Sequence, residues 1–122
     1  MRTTMKTISA IEAQQMVSDG AVLVDIREPA EVAREHIDGA LRLPLSGFAQ
    51  ADLRGATGRK AIFFCASGGR TRMYAGQIEA KAKGVCDAHV LGGGIAAWRR
   101  AGFVTVRPPR PPSLLRRLFG RR

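Results

Sequence analysis

The sequence predicts one α/β domain with a mostly parallel central sheet flanked by helices. The chain has 122 residues, 45% of them hydrophobic, which suffices for one core but not for two. Short apolar runs, typical of strands buried on both faces, alternate along it with segments that carry helix start and stop signals. Such alternation is typical of parallel sheets. We place the domain in residues 1–106 and treat residues 107–122 as a basic tail.

The first half of the domain begins with a capping box, in which Ser9 is followed three residues later by Glu12. Pro29 favours a second helix start. Asp25 ends a short apolar run and is therefore expected at the carboxyl end of a strand. In order, we predict a helix from Ser9 to about residue 19, a strand over 21–25, a short helix over 29–34 and an extended segment over 40–45.

The second half places Cys65 at the carboxyl end of the apolar run AIFFC, which we predict as a strand. The elements predicted after it are a helix from residue 71 to about 83, a strand over 88–91 and a helix over 95–101. Parallel strands end at one edge of a sheet, where binding crevices lie. Asp25 and Cys65 are therefore expected at the same edge.

Residues 65–70 read CASGGR and combine a thiol with features that stabilise an anion. Gly68 and Gly69 permit the positive-φ geometry that turns successive backbone amides inward, and Arg70 adds a cation. In such surroundings the pKa of a cysteine falls to about 3.5–7.5, which makes the thiolate available as a nucleophile. The alternative is a buried thiol at a strand end, followed by a glycine turn without chemistry.

Three segments resemble the rhodanese family and occur in the family's order. They are the loop CASGGRT at 65–71, the pair VDIREP and HIDGA within 24–40, and LGGGIAAW at 91–98. The resemblance covers roughly residues 7 to 103 and implies the rhodanese-like fold. Four residues separate Cys65 from Arg70, the loop length of sulfurtransferases, whereas the related cysteine phosphatases and arsenate reductases have five.

The resemblance implies a sulfurtransferase in which Cys65 is the nucleophile and carries a persulfide. The donor is a small sulfur compound, thiosulfate or a persulfide, and the acceptor is a thiol or cyanide. The same site also suits a persulfide carrier or interaction module that serves a protein partner. The implied anion-binding loop consists of Ala66, Ser67, Gly68, Gly69 and Arg70, whose guanidinium closes it.

One position departs from the family pattern. Many thiosulfate-using relatives carry a long polar or basic residue directly after the cysteine, where this chain has Ala66. The natural donor therefore stays open between thiosulfate and other sulfur compounds. Arg72 is either a substitute contact for the donor or, as we favour, a solvated surface charge.

The remaining polar candidates are interpreted as structural. Asp25, Arg27 and Glu28 are expected in ion pairs and strand-end hydrogen bonds, and His36 is expected to hydrogen-bond backbone. Cys86 is expected to be a buried or surface thiol rather than a resolving cysteine. Trp98 is expected in the core. His89 has no cysteine or carboxylate partner at metal-ligand spacing, so the sequence predicts neither a metal nor a cofactor.

The net charge of +10 is concentrated in the tail, where residues 107–122 contain six arginines and no acid. Its first part, RPPRPP, predicts an extended linker, and LLRRLF after Ser113 predicts a short amphipathic helix. The tail either packs on the domain or is disordered, contacts an acidic protein, or touches an anionic membrane. Nucleic acid is not the expected partner, because the tail lacks a base-reading motif. With two cysteines and no export segment, the predicted location is the cytoplasm.

Overall fold

A five-stranded, all-parallel sheet forms the centre of the molecule, as seen in a computed structural model that describes residues 5–109. The strands lie in the order β1-β5-β4-β2-β3. The elements are β1 (Lys6–Ile8), α1 (Ala10–Ser18), β2 (Val22–Asp25), α2 (Pro29–Arg34), β3 (Leu41–Arg42), two 3₁₀ segments (Leu45–Gln50 and Arg54–Ala56), β4 (Lys60–Phe64), α3 (Gly69–Met73), α4 (Ala75–Ala82), β5 (Asp87–Leu91) and α5 (Gly94–Arg100). The predicted fold class is confirmed.

Each face of the sheet carries its own apolar core, because successive strand residues point to opposite faces. On β4, Phe63 packs with Ile78 of α4, whereas Ile62 and Phe64 pack on the other face with Trp98 of α5. All these side chains are buried. With both faces covered, the central strands β2 and β4 are almost wholly apolar, which explains why they were recognisable in the sequence.

Several local predictions agree with the structure. The Ser9 hydroxyl accepts from the Glu12 amide at 3.1 Å, and the Glu12 carboxylate accepts from the Ser9 amide at 2.9 Å, which completes the capping box. Helix α2 has the predicted bounds. Trp98 is buried, as expected, and its indole N–H donates to the Val104 carbonyl at 3.0 Å.

Three predictions need correction. Strand β1 was missed because it is a three-residue edge strand whose Lys6 and Thr7 are exposed, so it carries no apolar run. The helix predicted from 71 to 83 is two helices, divided at Tyr74, whose backbone departs from helical values (φ −105°, ψ 20°). The extended segment predicted over 40–45 pairs as a strand only at Leu41–Arg42, opposite the end of β2.

The last described residues run back along the domain. Val106 and His36 exchange two backbone hydrogen bonds, of 2.9 and 2.7 Å, and the Arg107 guanidinium lies 3.3 Å from the Glu35 carboxylate. These bonds involve the His36 backbone, so the hydrogen bond expected of its side chain stays a prediction. The predicted amphipathic helix of the tail lies outside the described residues. Within residues 5–109, every helix is too short or too polar to cross a membrane.

Candidate functional site

The candidate site lies at the carboxyl edge of the sheet, between the neighbouring strands β2 and β4. Asp25 pairs in register with Phe64, so that Cys65 directly follows the strand beside Ile26, whose amide donates to the Phe64 carbonyl at 3.0 Å. Asp25 and Cys65 therefore share one edge, as the sequence predicts. The Cys65 side chain is only 1% exposed.

Backbone amides of the loop after β4 surround the Cys65 sulfur. The Gly68 N–H donates to Sγ at 3.1 Å, and the Thr71 hydroxyl oxygen lies 3.9 Å from Sγ. Burial opposes ionisation of the thiol, but the backbone N–H groups of Thr71, Gly68 and Arg70 outweigh it, helped by the Thr71 hydroxyl. The pKa of Cys65 therefore lies below its ordinary value of 9.0.

Thr71 fixes the shape of this loop and was not singled out by the sequence analysis. Its side chain is buried, and its hydroxyl donates to the Gly68 carbonyl at 3.0 Å. That bond ties the first turn of α3 to Gly68, whose amide donates to the sulfur. A threonine that follows the loop inside a helix gave no separate signal in the sequence.

Only one of the two loop glycines needs a glycine's conformation. Gly68 is in the left-handed region at φ 102° and precedes α3. Gly69 is already the first residue of α3, and a Cβ there would meet nothing within 4 Å. Gly69 therefore does not use the positive φ that a glycine permits, because the helix predicted from residue 71 begins two residues earlier, at Gly69.

The first residues of α5 bind the backbone of the loop that follows Cys65. The amides of Ile95 and Ala96 donate to the carbonyls of Cys65 and Ala66 at 2.9 and 3.1 Å. Gly94 lies so close that a Cβ would come within 2.7 Å of the Ala66 carbonyl carbon and oxygen, and its φ is +60°. The carbonyls of Cys65 and Ala66 are therefore bound to α5, while the amides of the loop bind the sulfur. The sequence analysis used this glycine triplet only as a family resemblance.

Arg70 contributes its backbone amide to the sulfur site, but its guanidinium has another partner. The two terminal nitrogens donate to the two carboxylate oxygens of Glu31, each at 2.7 Å. This fork-to-fork pair lowers the pKa of Glu31 to about 2. The guanidinium therefore binds α2 rather than closing the loop by itself, and the sequence analysis did not connect Glu31 with the site.

A buried ion pair links the end of β2 to the end of α2. Arg27 donates to both carboxylate oxygens of Asp25, at 3.0 and 2.8 Å, and to the Glu35 carbonyl at 2.7 Å. Both side chains of the pair are at most 4% exposed. Glu28 accepts from the Ser46 amide at 3.1 Å. These residues take the structural roles expected for them.

The second cysteine lies far from the first. Cys86 directly precedes β5, whose first residue, Asp87, pairs with Lys60, the first residue of β4. Cys65 lies at the other end of β4, directly after its last residue. Cys86 therefore lies opposite Arg59, six residue steps or about 20 Å along the strand direction from Cys65. Both are free, and burial raises the pKa of Cys86. Cys86 does not resolve a persulfide on Cys65 within one molecule.

The His89 ring hydrogen-bonds backbone of its own strand. A ring nitrogen of His89 lies 3.1 Å from the Asp87 carbonyl, which is backbone of the same strand. Residues 5–109 contain no cluster of three or more histidine, cysteine or carboxylate side chains placed to hold a metal ion.

Comparisons with a family model and with individual proteins indicate the same family. The family model "Rhodanese-like domain" matches residues 9–101. An uncharacterized protein of Synechocystis sp. is 36% identical over 117 residues, 94% of this chain, and the chain spans 64% of that protein's length. The thiosulfate sulfurtransferase GlpE of Pseudomonas fluorescens (strain Pf0-1) is 34% identical over 98 residues, covering 77% of this chain and 84% of that protein.

Solved structures agree with this fold. The crystal structure of a thiosulfate sulfurtransferase from Pseudomonas aeruginosa superposes with a TM-score of 0.73 at 25% identity. The match covers 88% of this chain but only 20% of the larger protein. The shared part is therefore the single domain described above.

Proposed function

Because the chain belongs to the rhodanese-like family, whose sulfurtransferase members it resembles, we propose that it moves sulfane sulfur through a persulfide on Cys65. The family supports a sulfurtransferase. We further propose that the sulfur donor is thiosulfate or a persulfide and that the acceptor is a thiol or cyanide. Cys65 is the nucleophile, and the backbone amides of residues 66–70 bind the anion.

The observation that carries the proposal is the ring of amides around the Cys65 sulfur. Backbone N–H groups that stabilise the thiolate raise the fraction of Cys65 present as the nucleophile, and a thiolate needs no general base. The same amides suit the anionic persulfide that follows, since its terminal sulfur also carries a negative charge. One site thus serves both halves of a double displacement.

The first step forms one sulfur–sulfur bond and breaks another. The Cys65 thiolate attacks the outer sulfur of thiosulfate, and sulfite leaves with the electron pair of the broken bond. The charges balance, since a thiolate and a dianion become a persulfide anion and a sulfite dianion. In the second step cyanide or a thiolate attacks the terminal persulfide sulfur, takes it, and returns the Cys65 thiolate.

The short loop favours sulfur transfer over phosphate chemistry. Four residues lie between Cys65 and Arg70, and the Gly68 amide approaches Sγ at 3.1 Å. A loop closed this tightly around one sulfur suits a terminal sulfur atom better than a tetrahedral phosphate.

For the setting we propose a reducing compartment, the cytoplasm, where free thiols persist. An acidic protein or an anionic membrane surface is proposed as the tail's partner.

Steady-state turnover tests the proposal. Purified protein supplied with thiosulfate and cyanide should form thiocyanate over many turnovers, and Cys65→Ser should form none. Cys86→Ser is the matched control and should retain turnover, because Cys86 lies at the opposite end of the sheet. Absence of turnover with thiosulfate and with small persulfides, together with loading from a protein persulfide donor, would favour the carrier instead.

A further inference from the structure

The electrostatics of the candidate site depend on which charges near the loop are already paired. Asp25 and Arg27 form a buried pair, and Arg70 forms a fork-to-fork pair with Glu31. Both pairs are neutral as units. Arg72 is exposed and forms no ion pair with any described residue. The loop itself therefore presents its amides, while the charge of its own arginine is balanced by α2.

Glu31 occupies the part of Arg70 that would otherwise meet an anion. Each carboxylate oxygen accepts a hydrogen bond from a different terminal nitrogen of the guanidinium, both at 2.7 Å. One of those oxygens also accepts from the Glu28 amide at 3.0 Å, which orients the carboxylate. The Glu31 side chain is 24% exposed and that of Arg70 32%, so the pair is partly shielded from water.

We propose that Glu31 is a specificity-determining residue, because its carboxylate balances the Arg70 charge beside the loop and thereby removes the advantage of doubly charged donors over singly charged ones. This inference rests on the proposed sulfur transfer. Glu31 acts through Arg70 as a positioning residue. The loop's amide dipoles then bind the donor's reacting sulfur without a strong preference for its total charge, which suits a site that accepts donors other than thiosulfate.

Two substitutions should change the charge beside the loop in opposite directions. Glu31→Gln leaves Arg70 unbalanced, which adds one positive charge near the donor. Arg70→Gln leaves Glu31 unbalanced, which adds one negative charge. A dianion responds to either change more strongly than a monoanion does, because its Coulomb energy is twice as large. A purely mechanical role for the pair would instead weaken both kinds of donor alike in both variants.

Two small donors allow a matched test. Thiosulfate carries two negative charges, and methanethiosulfonate, in which a methyl group replaces one oxygen, carries one. Each gives its outer sulfur to the Cys65 thiolate, with sulfite or methanesulfinate leaving with the bond's electron pair. The measured quantity is the ratio of kcat/KM for thiosulfate to that for methanethiosulfonate, at low and at high ionic strength.

At low ionic strength, Glu31→Gln should raise this ratio about fivefold, the factor for one extra pair of unit charges a few ångströms apart in a water-like medium. Arg70→Gln should lower it by a similar factor, and the double variant should return it to within about twofold of the wild type. Salt should reduce both single-variant effects. Glu35→Gln at the end of the same helix is the control and should leave the ratio unchanged.

An unchanged ratio in both single variants would overturn the inference, as would a change of the same sign in both. If Glu31→Gln does not fold, the comparison of Arg70→Gln with the double variant still decides, because the two differ only in the Glu31 charge and only its effect on the donor can restore the ratio. Intact mass keeps the two proposals apart. Failure of wild-type Cys65 to gain sulfur from either donor overturns the proposed function, whereas loading with unchanged ratios overturns only the role of Glu31.

Discussion

At the scale of single residues, the reactivity of Cys65 depends on the groups that face its sulfur. The thiol is buried, which by itself raises a pKa, yet the amides of Thr71, Gly68 and Arg70 bring it below 9.0. Alkylation by iodoacetamide should therefore stay fast as the pH falls from 9, and should decline only when the pH passes the lowered pKa. Decline beginning at pH 9 would contradict this.

Thr71→Val should move that decline to higher pH. The substitution keeps the shape of the side chain but removes the hydroxyl that lies 3.9 Å from Sγ and holds the Gly68 carbonyl. We expect the pKa of Cys65 to rise, although it stays below its ordinary value because the backbone amides remain, and we expect a stability loss of about 1 kcal/mol for the lost hydrogen bond.

The pH dependence of Cys65 alkylation measures this pKa. Thr57→Val is the matched control, because its hydroxyl also donates to a backbone carbonyl, that of Arg54 at 2.8 Å, but far from the thiol. An equal pKa in Thr71→Val and wild type would show that the hydroxyl does not influence the sulfur.

The sequence could place Cys65 but not most of its partners. An apolar run followed by a glycine loop is a local pattern, so the strand end and the turn were predictable. Glu31 and Arg70 are 39 positions apart, and only the pairing of β2 with β4 brings their elements together. Gly94 likewise matters through its contact with the Cys65 loop, which no local pattern reveals.

At the scale of elements, Gly94 at the start of α5 lets this helix approach the loop that follows Cys65, because glycine has no side chain. Gly94→Ala should cost well over 2 kcal/mol and abolish sulfur transfer, because its Cβ would overlap the Ala66 carbonyl. Gly102→Ala is the matched control. It also has positive φ, +90°, but meets nothing within 4 Å, so it should cost only about 1 kcal/mol and keep activity.

Urea unfolding and turnover of the two alanine variants measure this difference. Equal losses in both would mean that positive φ, rather than the close approach of α5 to the loop, makes Gly94 necessary.

The contact between α2 and the loop should also make stability depend on pH. The pKa of Glu31 is lowered from 4.5 to about 2, so its contribution is fully present above pH 4.5 and is lost as the pH falls towards 2. Allowing for partial exposure, Glu31→Gln should lose about 1–2 kcal/mol at pH 7 and less at pH 3.

Urea unfolding at the two pH values measures this. Asp52→Asn, which breaks a highly exposed pair with Arg54, is the control and should change stability little at either pH. A loss in Glu31→Gln that is the same at pH 7 and pH 3 would show that the ion pair is not its cause.

At the scale of the whole molecule, the domain and the tail are predicted to be separable. The contacts described for the tail's first residues are peripheral, chiefly the pair of Arg107 with Glu35, in which Arg107 is 60% exposed. Removing residues 107–122 should therefore leave sulfur transfer unchanged and cost less than about 1 kcal/mol. Turnover and thermal unfolding of the shortened chain test this, and a large loss of turnover would show that the tail helps to build the site.

The central claim is that Cys65 carries the transferred sulfur, and intact mass spectrometry after incubation with thiosulfate tests it most directly. The wild type should gain about 32 Da, one sulfur atom, which dithiothreitol removes, and Cys65→Ser should gain nothing. An added sulfur that persists in Cys65→Ser, or no added sulfur in the wild type with thiosulfate or with a cysteine persulfide, would contradict the account.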